Sequence, residues 1–93
     1  MEVFSQEIIA EKLKEVGPLW TYSEGFLHYQ RTYKNFKTAI LFLNKIAVLA
    51  EELQHHPQII NSYNSLHLQL RTNDFNGITH LDFKMAKAID ALE

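Results

Sequence analysis

The chain has 93 residues, with nine Lys and Arg against eleven Asp and Glu for a formal charge of −2, and no cysteine. A single domain spanning 1–93 is the simplest organisation for that length, and the missing cysteines exclude disulfide staples, thiolate catalysis and cysteine-ligated zinc. The near-neutral balance, with basic residues scattered rather than striped, argues against a nucleic-acid partner.

Glu2 and Glu7 interrupt any signal-like pattern at the start, and no apolar run approaches the roughly 18 residues that a membrane span needs. The expectation is a soluble cytoplasmic protein with no membrane partner. Ser5 is placed to cap a first helix, with Phe4 and Ile9 as the halves of a hydrophobic staple. Ile9, Leu13 and Val16 share a face, and Gly17-Pro18 ends the segment. Trp20 to Tyr22, a turn at Ser23-Glu24-Gly25, and Phe26 to Tyr33 read as a β-hairpin rich in β-favouring side chains.

Asn35 is a suitable N-cap for a long helix from Phe36 to Leu53. Phe36, Ile40, Leu43, Ala47 and Ala50 make one apolar face of it, and Leu41, Phe42, Val48 and Leu49 make a second. A surface helix of a small monomer needs only one such stripe. The doubled stripe therefore predicts that helix 36–53 is covered by a second subunit, in a homodimer or homotetramer, unless its own domain encloses it. Ile60 to Tyr63 and Leu66 to Thr72 read as two further strands around a turn at Asn64-Ser65, the second with Leu66, Leu68 and Leu70 on one side and His67, Gln69 and Arg71 on the other. Thr79 and Asp82 have the spacing of a capping box for a last helix running to about Leu92. The order α-β-β-α-β-β-α predicts an α+β fold: a four-stranded antiparallel sheet with helices on one face and an outer sheet edge open to another chain.

The stretch Glu51-Glu52-Leu53-Gln54-His55-His56-Pro57 reads most like chemistry. Acidic residues in a last helical turn oppose the macrodipole. Glu51 lies four residues before His55, so a continued helix would put carboxylate and imidazole on one face. Pro57 restricts the backbone of His56 to an extended form. A histidine at a helix end is also a good C-cap, so position alone leaves His55 and His56 between capping and catalysis. No His-x-x-x-His pair exists and the adjacent His55 and His56 would chelate one ion poorly, so no metal is expected. His28 and His80 read as surface residues, and His67 as part of a subunit contact.

At His55-His56-Pro57 the chain resembles the pterin-4a-carbinolamine dehydratases, small proteins also known as dimerisation cofactors of a homeodomain transcription factor. The resemblance runs from Glu51 through Asn61, Tyr63, Asn64, His67, Leu70 and Thr72 to Gly77, Thr79 and Asp82. It implies a lyase, independent of any cofactor, that dehydrates 4a-hydroxytetrahydropterin to quinonoid dihydropterin and so serves aromatic amino acid hydroxylases. By that resemblance His56 is the general base and His55 the acid toward the departing hydroxyl, with Glu51 orienting His55 and Asp82 near the pocket rim. Histidine suits both roles, because both of its protonation states are available near neutral pH. Where the family places a third active-site histidine this chain has Asn73, which can hydrogen-bond a pterin but cannot exchange a proton near neutral pH. Ile59 also stands where the family commonly has an aromatic residue. The asparagine leaves open a slower or stereoselective enzyme, or a binding module that keeps the fold without turnover.

Overall fold

The computed structural model describes residues 1–92. Helix α1 (Gln6–Lys12) gives way to a 3-10 turn at Leu13–Glu15, and strands β1 (Trp20–Ser23) and β2 (Phe26–Thr32) follow. Helix α2 (Phe36–Leu53) leads to strands β3 (Gln58–Ser62) and β4 (Ser65–Leu70), a 3-10 turn at Asn73–Phe75 and helix α3 (His80–Asp90). The four strands form one antiparallel sheet in the order β1-β2-β4-β3. The fold is thus α+β with the expected element order.

Local chemistry starts each helix. The side chains of Ser5, Asn35 and Thr79 accept hydrogen bonds from backbone N–H groups one or two positions inside α1, α2 and α3, which would otherwise be left without partners. The β1–β2 loop is the two-residue turn Glu24-Gly25, with both residues at positive φ, the twist that a tight hairpin requires. The β3–β4 turn is Tyr63-Asn64, one residue earlier than the alternation suggests. Ser62 pairs with Ser65 there, and Tyr63 takes φ 53°. Asn64 itself is tied down, donating from Nδ2 to the Tyr33 carbonyl at 2.8 Å.

Side chains alternate across the sheet as period two demands. Leu27 and Tyr29 of β2 and Leu66, Leu68 and Leu70 of β4 are buried, and they share one cluster with Ala39, Phe42, Ile46 and Ala50 of α2 and Phe83, Ala86 and Ile89 of α3. His28, His67 and Gln69 project from the opposite, helix-free side. The face of α2 that meets the sheet is therefore 39/42/46/50, which takes Ala50 from one of the two apolar stripes and Phe42 from the other, with Leu43 and Leu49 packed at its margins. The small Ala39 and Ala50 let the helix backbone approach, while Phe36 (49 % exposed), Leu41 (54 %) and Val48 (59 %) face outward. No helix among the described residues is long and apolar enough to cross a membrane.

Candidate active site

Helix α2 does not run on into the histidines. Gln54 takes the left-handed conformation, φ 52° and ψ 43°. The His55 N–H then bonds back to the Ala50 carbonyl at 3.1 Å and the Gln54 N–H to the Glu51 carbonyl at 3.3 Å. These two bonds make a Schellman ending, a reversal usually built on glycine, here on a glutamine that bears the steric cost of a Cβ. The helical i, i+4 relation between Glu51 and His55 ends with it. Glu51 accordingly meets His56 rather than His55, its Oε2 accepting from His56 Nε2 at 2.5 Å.

His55 turns inward instead. Its Nε2 donates to Asp82 Oδ1 at 2.6 Å, and Asp82 is fully buried behind the ring rather than at a rim. The capping box explains how that acid is held: Oδ2 accepts from the Thr79 backbone N–H at 2.9 Å and from the Thr72 hydroxyl at 2.8 Å. Because Thr72 spends its only proton on Asp82, the Thr79 hydroxyl must donate to Thr72 Oγ1, 2.8 Å away, while accepting from the Leu81 N–H. Every atom of this buried set is satisfied, which makes its geometry rigid. One aspartate therefore starts α3, ties it to the end of β4 and fixes the ring of His55.

Both carboxylates are acceptors, so both histidines carry a proton on Nε2, and Nδ1 is the atom each ring has left to exchange. The two supports differ in setting: the side chains of His55 and Asp82 are 11 % and 0 % exposed, those of His56 and Glu51 58 % and 73 %. The rings line a polar hollow of about 260 Å³ together with Gln54, Thr72, Asn73 and Leu81. His56 and Asn73 also line an adjoining hollow of about 110 Å³.

The structure thus brings His55, His56 and Asn73 to one cavity and sets Glu51 and Asp82 as their supports. Pro57 lines neither hollow; it sits between the histidines and the start of β3. Sequence reasoning missed Arg71, which lines both hollows. Its signal was available in its place at the end of β4, two residues before Asn73 and on the helix-free side by alternation. Among the described residues, no three His, Cys, Asp or Glu side chains gather in a way that could hold a metal ion.

Comparison with known proteins places the chain among relatives that share its length and fold. A protein from Prochlorococcus marinus named "Putative pterin-4-alpha-carbinolamine dehydratase" is 44 % identical over 89 residues, covering 96 % of this chain and 91 % of its own length. A protein of the same name from Christiangramia forsetii is 41 % identical, with 97 % and 92 % covered. The crystal structure of a transcriptional coactivator/pterin dehydratase from Brucella melitensis superposes with a TM-score of 0.91 at 31 % identity, covering 98 % of both chains. The sequence profile described as pterin 4 alpha carbinolamine dehydratase matches residues 2–92, and the chain belongs to that family.

Proposed function

We propose that this protein is a lyase that removes water from 4a-hydroxytetrahydropterin to give quinonoid dihydropterin. The observation that carries the reading is the pair of histidines at one polar hollow, each held by its own carboxylate in a single tautomer. His56, the more exposed ring, takes a proton from the pterin ring nitrogen. His55, anchored to the buried Asp82, gives a proton to the 4a-hydroxyl, which leaves as water. One proton is taken and one given, so the pair ends with its protonation states exchanged, and solvent at the open hollow resets them. Asn73 contributes a hydrogen bond to the substrate and no proton. No metal or organic cofactor has a part in these steps, and the setting is the pterin cycle of aromatic amino acid hydroxylases in the cytoplasm.

The test follows the decay of freshly generated 4a-hydroxytetrahydropterin. The protein is expected to speed it, and His56→Ala to lose about 10²- to 10⁴-fold of that acceleration. Two traces that both match the uncatalysed decay would overturn the proposal.

Asn73 favours a second reading, a binding module without turnover. Asn73→His separates the two: a large gain in rate means a pocket otherwise ready for catalysis, while no gain and no pterin binding favours the module. In either case we propose self-association into a dimer or tetramer through the outward face of α2, where Phe36, Leu41 and Val48 are exposed, with an outer edge of the sheet. Light scattering at micromolar concentration is expected to give a multiple of the monomer mass, and Leu41→Glu with Val48→Glu to lower it.

A further inference from the structure

The two hollows beside His56 share three residues, His56, Arg71 and Asn73, and differ in the rest. The larger leads to His55 and Leu81. The smaller, about 110 Å³, opens over the helix-free side of the sheet between Phe26 on β2, Gln58 on β3 and Gln69 on β4. Gln58 and Gln69 are directly paired across the two strands, so their amides stand side by side. Arg71 occupies the junction. Its guanidinium lies over the Phe26 ring, 5.4 Å from the centroid, and its Nη2 donates to Asn76 Oδ1 at 3.1 Å. Its Nε–H is buried and has no hydrogen-bond partner among the described residues. Among the described residues Asn76 is thus a partner of one Nη, while the buried Nε–H has none, and a buried donor left unpaired is costly.

The chemistry of the substrate indicates what such a compartment is for. In a pterin, the reacting carbon 4a and carbon 6 are separated by nitrogen 5 alone. With carbon 4a presented to His55 and His56, a substituent on carbon 6 leaves the ring immediately beside the acid–base pair. The space adjoining that pair is the smaller hollow. Its walls offer the donors of Arg71 and the amides of Gln58 and Gln69, with one aromatic ring as an apolar floor.

Building on the dehydratase reading above, we infer that this hollow seats the substituent at carbon 6 and that Arg71, with the two glutamines, selects a hydroxylated substituent over a bare methyl group. The guanidinium donates to the substituent's oxygens, and the glutamine amides exchange hydrogen bonds with its hydroxyls. Arg71 is then a specificity-determining residue that meets the substituent through the part of its guanidinium that lines the hollow.

The experiment compares two carbinolamine substrates, one with a dihydroxypropyl and one with a methyl substituent at carbon 6, on the wild type, Arg71→Met and Gln58→Leu. Methionine keeps an unbranched stem over Phe26 and removes the donors. Gln58 is exposed on an edge strand, so its replacement tests the same hollow without risk to the fold. The readout is the ratio of kcat/KM for the two substrates, in which any general loss of activity cancels. The wild type is expected to favour the hydroxylated substrate about tenfold or more, as expected for hydrogen bonds to a charged donor, and Arg71→Met to bring the ratio close to one. Gln58→Leu is expected to move it the same way by less. Equilibrium binding of the matching dihydropterins, followed by their fluorescence, should show the same ratio without turnover. A wild-type ratio near one, or an unchanged ratio in Arg71→Met, overturns the inference and leaves the dehydratase reading standing. Failure of the wild type to bind or turn over either pterin overturns both.

Discussion

Two pairs of histidines lie in this small protein and their neighbours give them opposite characters. At the end of α2 each ring meets a carboxylate, His55 with Asp82 and His56 with Glu51. On the helix-free side of the sheet, His28 and His67 meet each other at 2.9 Å between His28 Nδ1 and His67 Nε2. His28 Nε2 is 3.0 Å from the Ser23 carbonyl oxygen, which can only accept, so His28 carries its proton there and takes the His67 proton on Nδ1. That chain is complete when both rings are neutral. A carboxylate accepts from an imidazole whether or not the ring carries a second proton, whereas the hydrogen bond between two imidazoles needs one nitrogen left bare. Residue type alone did not distinguish the two pairs.

The largest expected effect comes from removing the anion that makes the first pair different. Asp82→Ala removes the carboxylate half of the α3 capping box and strands the Thr72 hydroxyl, the Thr79 N–H and the His55 N–H, with an expected stability loss of about 2–4 kcal/mol, read by urea denaturation. Asp82→Asn is the sharper tool. Its amide can still accept from the Thr79 N–H, but the NH₂ facing His55 would require the ring to accept at Nε2 and move its proton to Nδ1. The fold is expected to survive while the proposed dehydratase activity falls about 10²-fold or more, because on that proposal His55 is the acid and would now present the wrong nitrogen. Equal activity in Asp82→Asn and wild type would show that the tautomer of His55 is irrelevant.

Glu51→Gln should do much less. That pair is open to water, and exposed ion pairs contribute about 0.2–1 kcal/mol, so activity is expected to fall about two- to fivefold and the thermal midpoint to stay nearly unchanged. A loss as large as that of Asp82→Asn would mean that substrate dries the Glu51–His56 contact when it binds.

How much of this was legible in the residues follows from which forces are local. The caps at Ser5, Asn35 and Thr79 and the span Phe36–Leu53 were readable because each depends on neighbours within four positions. The partner of Glu51 was misread because one residue, Gln54, adopts a left-handed conformation that usually belongs to glycine, and nothing in its side chain announces it. Asp82 was assigned a rim position because its capping role accounts for it locally. Its burial depends on Thr72 and His55, from two elements that only the tertiary fold brings to α3. The meeting of His28 with His67 is of the same kind. Alternation put His67 on the helix-free side, but the β2–β4 register, which pairs it with Gln30 and leaves His28 on the diagonal, decided that another histidine would lie within hydrogen-bond reach.

That register gives the smallest predicted effect and the one that isolates the second pair. Partial burial, and then the nearby charge of His28, hold the His67 ring below the ordinary histidine value of 6.5. A base whose affinity for protons is lowered by folding binds fewer protons in the folded chain than in the unfolded one, so its contribution to stability rises with pH. That contribution is fully present above about pH 6.5 and is lost as the pH falls toward and through the lowered folded value. His67→Gln removes the titrating ring and keeps a donor for His28 Nδ1. Chemical denaturation at a series of pH values from about 7.5 down to about 5 is expected to show a shallower loss of stability in the variant than in the wild type, with the two curves closest at the upper end. Parallel curves would mean that the pair accepts a proton as readily folded as unfolded, and the contrast between the two pairs of histidines would then lie in position alone.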